Sequence, residues 1–159
     1  MKIDKSKLKV YGIFLLITLG VGAASALLTN MGMDSYKAAE KPPLTPPDIV
    51  FPIVWSVLFT LMAISAARVW LTDNSRLRNH AMIVYFIQLF FNFFWSVLFF
   101  NFQAYALAFL WILGLWALIL VMIIRFYQAD KIAGLLQIPY LLWVTFAAYL
   151  NYAVYLLNK

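Results

Sequence analysis

Three stripes of aromatic and amide side chains are the most chemically suggestive feature of this chain. Phe51, Trp55 and Phe59 recur every four residues, which sets them on one face of a helix. Gln88, Asn92, Trp95, Ser96 and Phe99 fall at i, i+4, i+7, i+8 and i+11, again one face. Pro139, Trp143, Ala147 and Asn151 make the third stripe. Aromatics at helical spacing commonly pack a core. Here each stripe mixes tryptophan or phenylalanine with polar or small residues, and an amide buried in apolar surroundings without a partner is costly. Conventional catalytic equipment is sparse. The single histidine, His80, has no nucleophile–base partner in a motif, and the absence of cysteine excludes disulfides, thiolate chemistry and the usual zinc or iron–sulfur sites. His80 is a formal candidate for haem iron, but its place at the start of an apolar run suits an interfacial residue better.

The elements that carry these stripes are set by charge exclusion. All 18 charged residues lie outside five apolar runs, Val10–Leu28, Ile49–Ala67, Ala81–Asn101, Ala104–Ile124 and Ile132–Leu157. About 20 helical residues cross a hydrocarbon core of roughly 30 Å. Helices and closed barrels alone satisfy their backbone groups in lipid, and runs without period-2 alternation are helices. The chain is 65% hydrophobic and 11% charged, with a mean hydropathy of +0.88, whereas a soluble domain carries about 25% charge. The expectation is an all-α integral membrane protein, a bundle of five transmembrane helices forming one domain over 1–159.

The net charge of +6 is topological rather than a nucleic-acid footprint. With alternating spans, Lys2, Lys5, Lys7, Lys9, Arg68, Arg76, Arg78, Arg125 and Lys131 fall on one side, and Lys37, Lys41 and Lys159 on the other. That bias predicts a cytoplasmic N-terminus. Short loops and the lack of targeting extensions suit a bacterial cell membrane, with no nucleic-acid partner. No charged residue lies mid-span, so proton relays and coupled pumping are disfavoured. Small residues on span one, Gly12, Gly20, Ala24 and Ser25, and on span four, Ala104 and Ala108, permit close helix approach within the bundle or across a homodimer.

Of the four connections, one is long. Thr29–Asp48 contains Pro42, Pro43, Pro46 and Pro47, which stiffen it, and Asp48 is placed to cap the second span. The third connection is little more than Phe102 and Gln103, giving a tight hairpin. Trp55 lies six residues into its run and Trp95 six residues before the end of its own. Both therefore sit roughly 9 Å below the same interface. Asn92 and Asn151 share that half of the bilayer, with Trp143 deeper. The spacing predicts an aromatic-walled cavity roofed by the long loop and by Tyr36.

At this point the sequence resembles the translocator protein family (TspO), also called tryptophan-rich sensory proteins or peripheral benzodiazepine receptors. The resemblance is carried by Tyr36, by Lys41 to Pro47 (KPPLTPP), by Pro52 to Phe59 (PIVWSVLF), by Gln88 to Trp95 (QLFFNFFW) with Phe99 and Phe100, and by Pro139 to Trp143 (PYLLW) with Leu150, Asn151 and Tyr152. It implies a bacterial member that binds porphyrins (protoporphyrin IX or a haem-like ligand) and drug-like benzodiazepine-receptor ligands, and that forms a homodimer in the lipid bilayer. Carried over residue by residue, the ligand-binding set is Tyr36, Pro47, Trp55, Phe59, Gln88, Asn92, Trp95, Ser96, Phe99, Trp143, Phe146 and Ala147, with no metal ligand. Asn92 and tryptophan N–H groups would orient a ligand carbonyl. The resemblance also implies two alternatives to a receptor or sensor. One is light- and oxygen-dependent porphyrin breakdown with Trp55 and Trp143 as the catalytic residues, and the other is passive transport of porphyrin or lipid. Leu44 and Phe93 stand where the family often has tryptophan. Leu150, Tyr155 and Lys159 match the sterol motif of animal members only loosely, and no sterol binding is assigned.

Overall fold

In a computed structural model, which describes residues 4–159, the described residues are helical throughout apart from turns and short linkers. Lys2, counted above among the basic residues, lies outside them. The helices are α1 (Lys5–Thr29), α2 (Met33–Ala38), α3 (Val50–Trp70), α4 (Ser75–Ser96), α5 (Tyr105–Ala129), α6 (Lys131–Leu135) and α7 (Ile138–Leu157). They make five units long and apolar enough to span a membrane: α1 with its extension, α3, α4 with its terminal turn, α5, and α6–α7. The protein is a five-span integral membrane bundle. Its surface agrees with that solvent, since Leu16, Leu27, Ile53, Leu110 and Leu142 are all exposed. Helices apolar on every face belong in lipid.

The core sits where α3, α4 and α5 meet. Ile112, Leu115, Ile119, Met122 and Phe126 advance along α5 in alternating steps of three and four and are essentially inaccessible. They face Met62, Ala63, Ala66 and Ala67 of α3 and Tyr85 and Leu89 of α4. The small residues of α3 let its neighbours approach closely. Side-chain oxygens start three helices: Asp4 accepts from the Ser6 N–H, Asn74 from the Leu77 N–H and Asp130 from the Ala133 N–H.

Four local expectations are corrected. The long loop is shorter than its polar composition suggests, because α1 continues through a 3₁₀ turn (Asn30–Gly32) into α2, leaving Ala39–Ile49 as the linker. Polar residues end an apolar run without ending a helix; the prolines from Pro42 onward do that. Asp48 does not cap α3, which begins at Val50 after Ile49 with no side-chain cap. The last span is broken at Leu136–Gln137, since Pro139 has no N–H to offer and its ring would meet the carbonyl four residues back. Pro139 is consequently exposed at the start of α7 and leaves its stripe. Finally, the apolar runs leave Arg125–Lys131 as the fourth connection, but α5 runs to Ala129 and α6 starts at Lys131, so that connection is Asp130 alone. The tight third connection is present: α4 ends in a wide π turn, Val97–Asn101, and Gln103 adopts φ 51° before α5 starts.

Candidate functional site

A cavity of about 370 Å³ opens in the half of the bundle that carries the Ala39–Ile49 linker. Four spans wall it. Trp55 and Phe59 come from α3, Asn92, Trp95 and Ser96 from α4, Phe99 and Phe100 from the π turn, and Trp143, Ala147 and Asn151 from α7. The fourth wall is α1, through Gly22, Ser25 and Thr29, with Tyr36 of α2 above. A Cβ on Gly22 would lie 2.8 Å from two ring carbons of Phe59, so glycine there makes room for that ring. Mid-helix glycine was the available sequence signal for this wall, which the aromatic stripes did not reveal.

Nine of the twelve expected site residues line the cavity: Tyr36, Trp55, Phe59, Asn92, Trp95, Ser96, Phe99, Trp143 and Ala147. Three do not. Pro47 is exposed in the turn before α3, where its carbonyl accepts from the Val50 N–H at 2.9 Å. Gln88 is fully buried beyond the wall, bonded to Met62 and Tyr140. Phe146 packs on Trp143 at 5.6 Å between ring centres, outside the lining. Leu44 and Phe93, the departures from the family pattern, also lie off the lining.

The aromatic wall is held by specific bonds. Trp95 stacks on Phe99 at 5.4 Å and donates its indole N–H to Asn151 Oδ1 at 3.0 Å. Asn151 in turn donates to the Tyr105 carbonyl at 2.8 Å, tying α4, α7 and α5 together. Asn92 donates to the Tyr140 hydroxyl at 2.7 Å. One N–H of Asn92 and the indole N–H of Trp95, both expected to orient a ligand carbonyl, thus have partners within the protein, and the second N–H of the Asn92 amide is left over. Trp143 Nε1 is buried with no partner among the described residues. Trp143 also meets Phe51 edge-on at 6.0 Å, so the first and third stripes touch.

The roof is fastened at two points. Tyr36 rests on Phe99 and Phe100, with ring centres at 5.6 and 5.1 Å. Asn158, just past α7, clamps the linker: it accepts from the Glu40 N–H at 3.0 Å and donates to the Glu40 carbonyl at 2.8 Å. Asp48 reaches the cavity edge instead of capping a helix. At the opposite end of the bundle, Arg68 pairs with Asp130 through two bonds, 2.9 and 3.2 Å. Partial burial raises the Asp130 pKa, but the Ala133 N–H and the Arg68 guanidinium outweigh it and hold the carboxyl below its ordinary value. His80 is exposed in the second turn of α4, at that same far end. It is twelve residues, or roughly 18 Å of helix, from Asn92.

The arrangement offers stacking surface and a few fixed dipoles, with its acid–base groups confined to the rim. That suits retention of a flat aromatic molecule. The sequence pattern of the TspO/MBR family matches residues 14–157. The chain is 36% identical to the tryptophan-rich protein TspO of Chlorobaculum tepidum, over 89% of this chain and 91% of that one. It is 33% identical to the tryptophan-rich sensory protein of Cereibacter sphaeroides, over 93% and 92%. The human translocator protein is 28% identical over 91% of this chain and 86% of its own.

Proposed function

Because the chain belongs to the TspO/MBR family, we propose that it is a membrane receptor whose cavity holds a tetrapyrrole, with protoporphyrin IX as the reference ligand. The observation that carries this reading is the meeting of Trp55, Trp95, Trp143 and Tyr36, from four elements, around one hollow. Indole and phenyl faces bind flat conjugated rings by offset stacking. The basic residues at the far end of the bundle, Lys5 to Lys9, Arg76, Arg78, Arg125 and Lys131, support a cytoplasmic N-terminus in a bacterial cell membrane. The cavity then lies in the outer leaflet. The open face of α1 at Gly12 and Gly20, where a Cβ would meet nothing within 4 Å, suits a homodimer.

Titration of the purified protein in detergent with protoporphyrin IX tests the reading. Tryptophan emission should fall saturably, and Trp143→Phe should weaken binding about three- to tenfold, the worth of one stacking contact. Quenching that never saturates, or equal affinity in both Trp55→Phe and Trp143→Phe, removes the proposed ligand. The presence of both tryptophans in the lining favours a second reading, breakdown of the bound porphyrin in light and oxygen. Under illumination in air the porphyrin band should then decay faster than for free porphyrin, and this acceleration should disappear in the double variant.

A further inference from the structure

We propose that the basic end of the bundle holds an anionic phospholipid, with the Arg78 guanidinium, laid on the Trp70 ring, taking the headgroup phosphate. The inference concerns the end opposite the aromatic cavity and does not depend on what that cavity binds.

Charge is divided unevenly between the two ends. At the cavity end Lys37, Lys41 and Lys159 are matched in number by Asp34, Glu40 and Asp48. At the other end eight described basic residues meet three acids, Asp4, Asp73 and Asp130, so this surface carries a net positive field. Six of the eight are exposed, and exposed cations are enough to orient a chain in a membrane. Arg68 and Arg78 are the two that are half-buried. Asp130 answers Arg68 in the one ion pair among the described residues. No carboxylate answers Arg78.

Arg78 is nevertheless held in place. Its Cζ lies 5.4 Å from the centre of the Trp70 ring, a cation–π arrangement, and Trp70 in turn packs on Phe14 of α1 at 6.0 Å. Nη1 reaches the Thr72 carbonyl only at 3.5 Å, and Nε is buried without a partner among the described residues. A guanidinium is always charged and carries five N–H donors in a fixed fork. One long bond to Thr72 leaves that fork unfilled. An anion with two oxygens side by side fits it bidentately, which is the geometry of arginine on phosphate.

Depth selects the kind of phosphate. Trp70 stands three residues beyond Ala67, where the apolar run of α3 ends, and Arg78 stands three residues ahead of Ala81, where that of α4 begins. Each is therefore roughly 4.5 Å of helix outside the hydrocarbon core, in the headgroup region. Trp70 is 45% exposed, so the floor of the site is open to the membrane surface. A phosphodiester is common to zwitterionic and anionic lipids. A choline headgroup would add an ammonium to a surface where basic residues already outnumber acids, whereas a glycerol headgroup adds none. The site therefore favours the anionic lipid.

Native mass spectrometry of the detergent-solubilised protein, given equal amounts of palmitoyl-oleoyl phosphatidylglycerol and phosphatidylcholine, reads which lipid is retained. Wild type should prefer phosphatidylglycerol, and Arg78→Gln should cut that preference about fivefold, the worth of one basic residue at a membrane surface. Arg78→Lys keeps the charge but loses the fork, and should behave like Arg78→Gln. Arg76→Gln removes the same charge from an exposed position in the same turn of α4, and should change the preference by less than about twofold. Each variant should keep the wild-type unfolding midpoint in lipid-free detergent, which separates loss of the lipid from loss of the fold. No preference in the wild type, an unchanged preference in Arg78→Gln, or equal losses in the Arg76 and Arg78 variants overturns the proposal. Inorganic phosphate at millimolar concentration should leave the lipid bound; displacement by it would assign the site to a soluble anion and sink the lipid.

Discussion

Gly32→Ala adds one methyl group in the short 3₁₀ turn between α1 and α2, and its consequences follow from geometry. The new Cβ would lie 2.2 Å from the Phe100 carbonyl oxygen, 2.6 Å from its carbon and 3.0 Å from the Asn101 nitrogen. These are roughly 1 Å inside ordinary contact. All three are main-chain atoms of the π turn, so no side-chain rotation relieves the overlap; either the α1 extension or the π turn must move. Overpacking costs about 1–3 kcal/mol, and an immovable neighbour argues for the upper part of that range, about 2–3 kcal/mol. For a chain of this length that corresponds to roughly 5–10 °C in the unfolding midpoint. Tyr36, one turn further on, would be displaced from Phe99 and Phe100 along with the segment, so ligand affinity should drop too. Thermal unfolding in detergent and the porphyrin titration read both effects. Gly20→Ala, compared as the monomer because Gly20 lies on the face proposed for a homodimer, is the matched control: nothing in the chain lies within 4 Å of its Cβ, and alanine is the better helix former. Its midpoint should hold or rise slightly. If Gly32→Ala melts with the wild type, the close approach of backbone to backbone is not what requires glycine there.

Two further perturbations separate the two ends of the bundle. Asn151→Leu leaves the Trp95 N–H without a partner and takes from the Tyr105 carbonyl the bond it accepts beyond its own helix, a loss of about 1–3 kcal/mol. It should also shift Trp95 emission, and a variant with wild-type stability and emission would show that this bridge does not set the wall. Asp130→Asn removes the pair with Arg68, whose side chains are 30% and 21% exposed, so about 1 kcal/mol is at stake after solvent screening. Since the folded carboxyl titrates below its ordinary 3.8, the contribution is present above that pH and is lost as pH falls through the lowered value. Wild type and variant should therefore differ in unfolding midpoint at pH 7, with the gap narrowing below pH 3.8 and closing once pH has passed the lowered folded value. A gap that persists in acid would assign the effect to the α6 cap rather than to charge.

The five spans were legible because charge exclusion in lipid is a sequence property: a charged side chain in mid-bilayer is costly, so runs without one mark the spans. The facing stripes were legible for a similar reason, since helical periodicity alone places Trp55 with Phe59 and Asn92 with Trp95 and Phe99. Gln88 shows where periodicity stops. It shares their face, yet it lies one turn too deep and bonds to Tyr140, a residue the third stripe omitted. Strict four-residue spacing points to position 139, but each such step drifts by about 40° against a 3.6-residue turn, so within α7 it is Tyr140 and not Pro139 that shares the face of Asn151. Gly22 and Gly32 carry no chemistry that spacing could flag. Their value lies in what stands opposite, the ring of Phe59 and the main chain of Phe100.

The sequence by itself therefore determined the solvent, the number of spans, the side on which the basic residues gather and most of the aromatic wall. Each of these is written in single residues or in local repeats. Tertiary structure alone decided that α1 continues into the roof, that Asn158 fastens the linker, that α1 supplies a wall, and that Asn92 and Trp95 bond to Tyr140 and Asn151. Those are properties of pairs far apart in the chain, Asn158 with Glu40 and Asn92 with Tyr140 among them. Hydrogen-bond polarity in a dry interior passes from partner to partner, so no residue read in isolation reveals which way its amide faces.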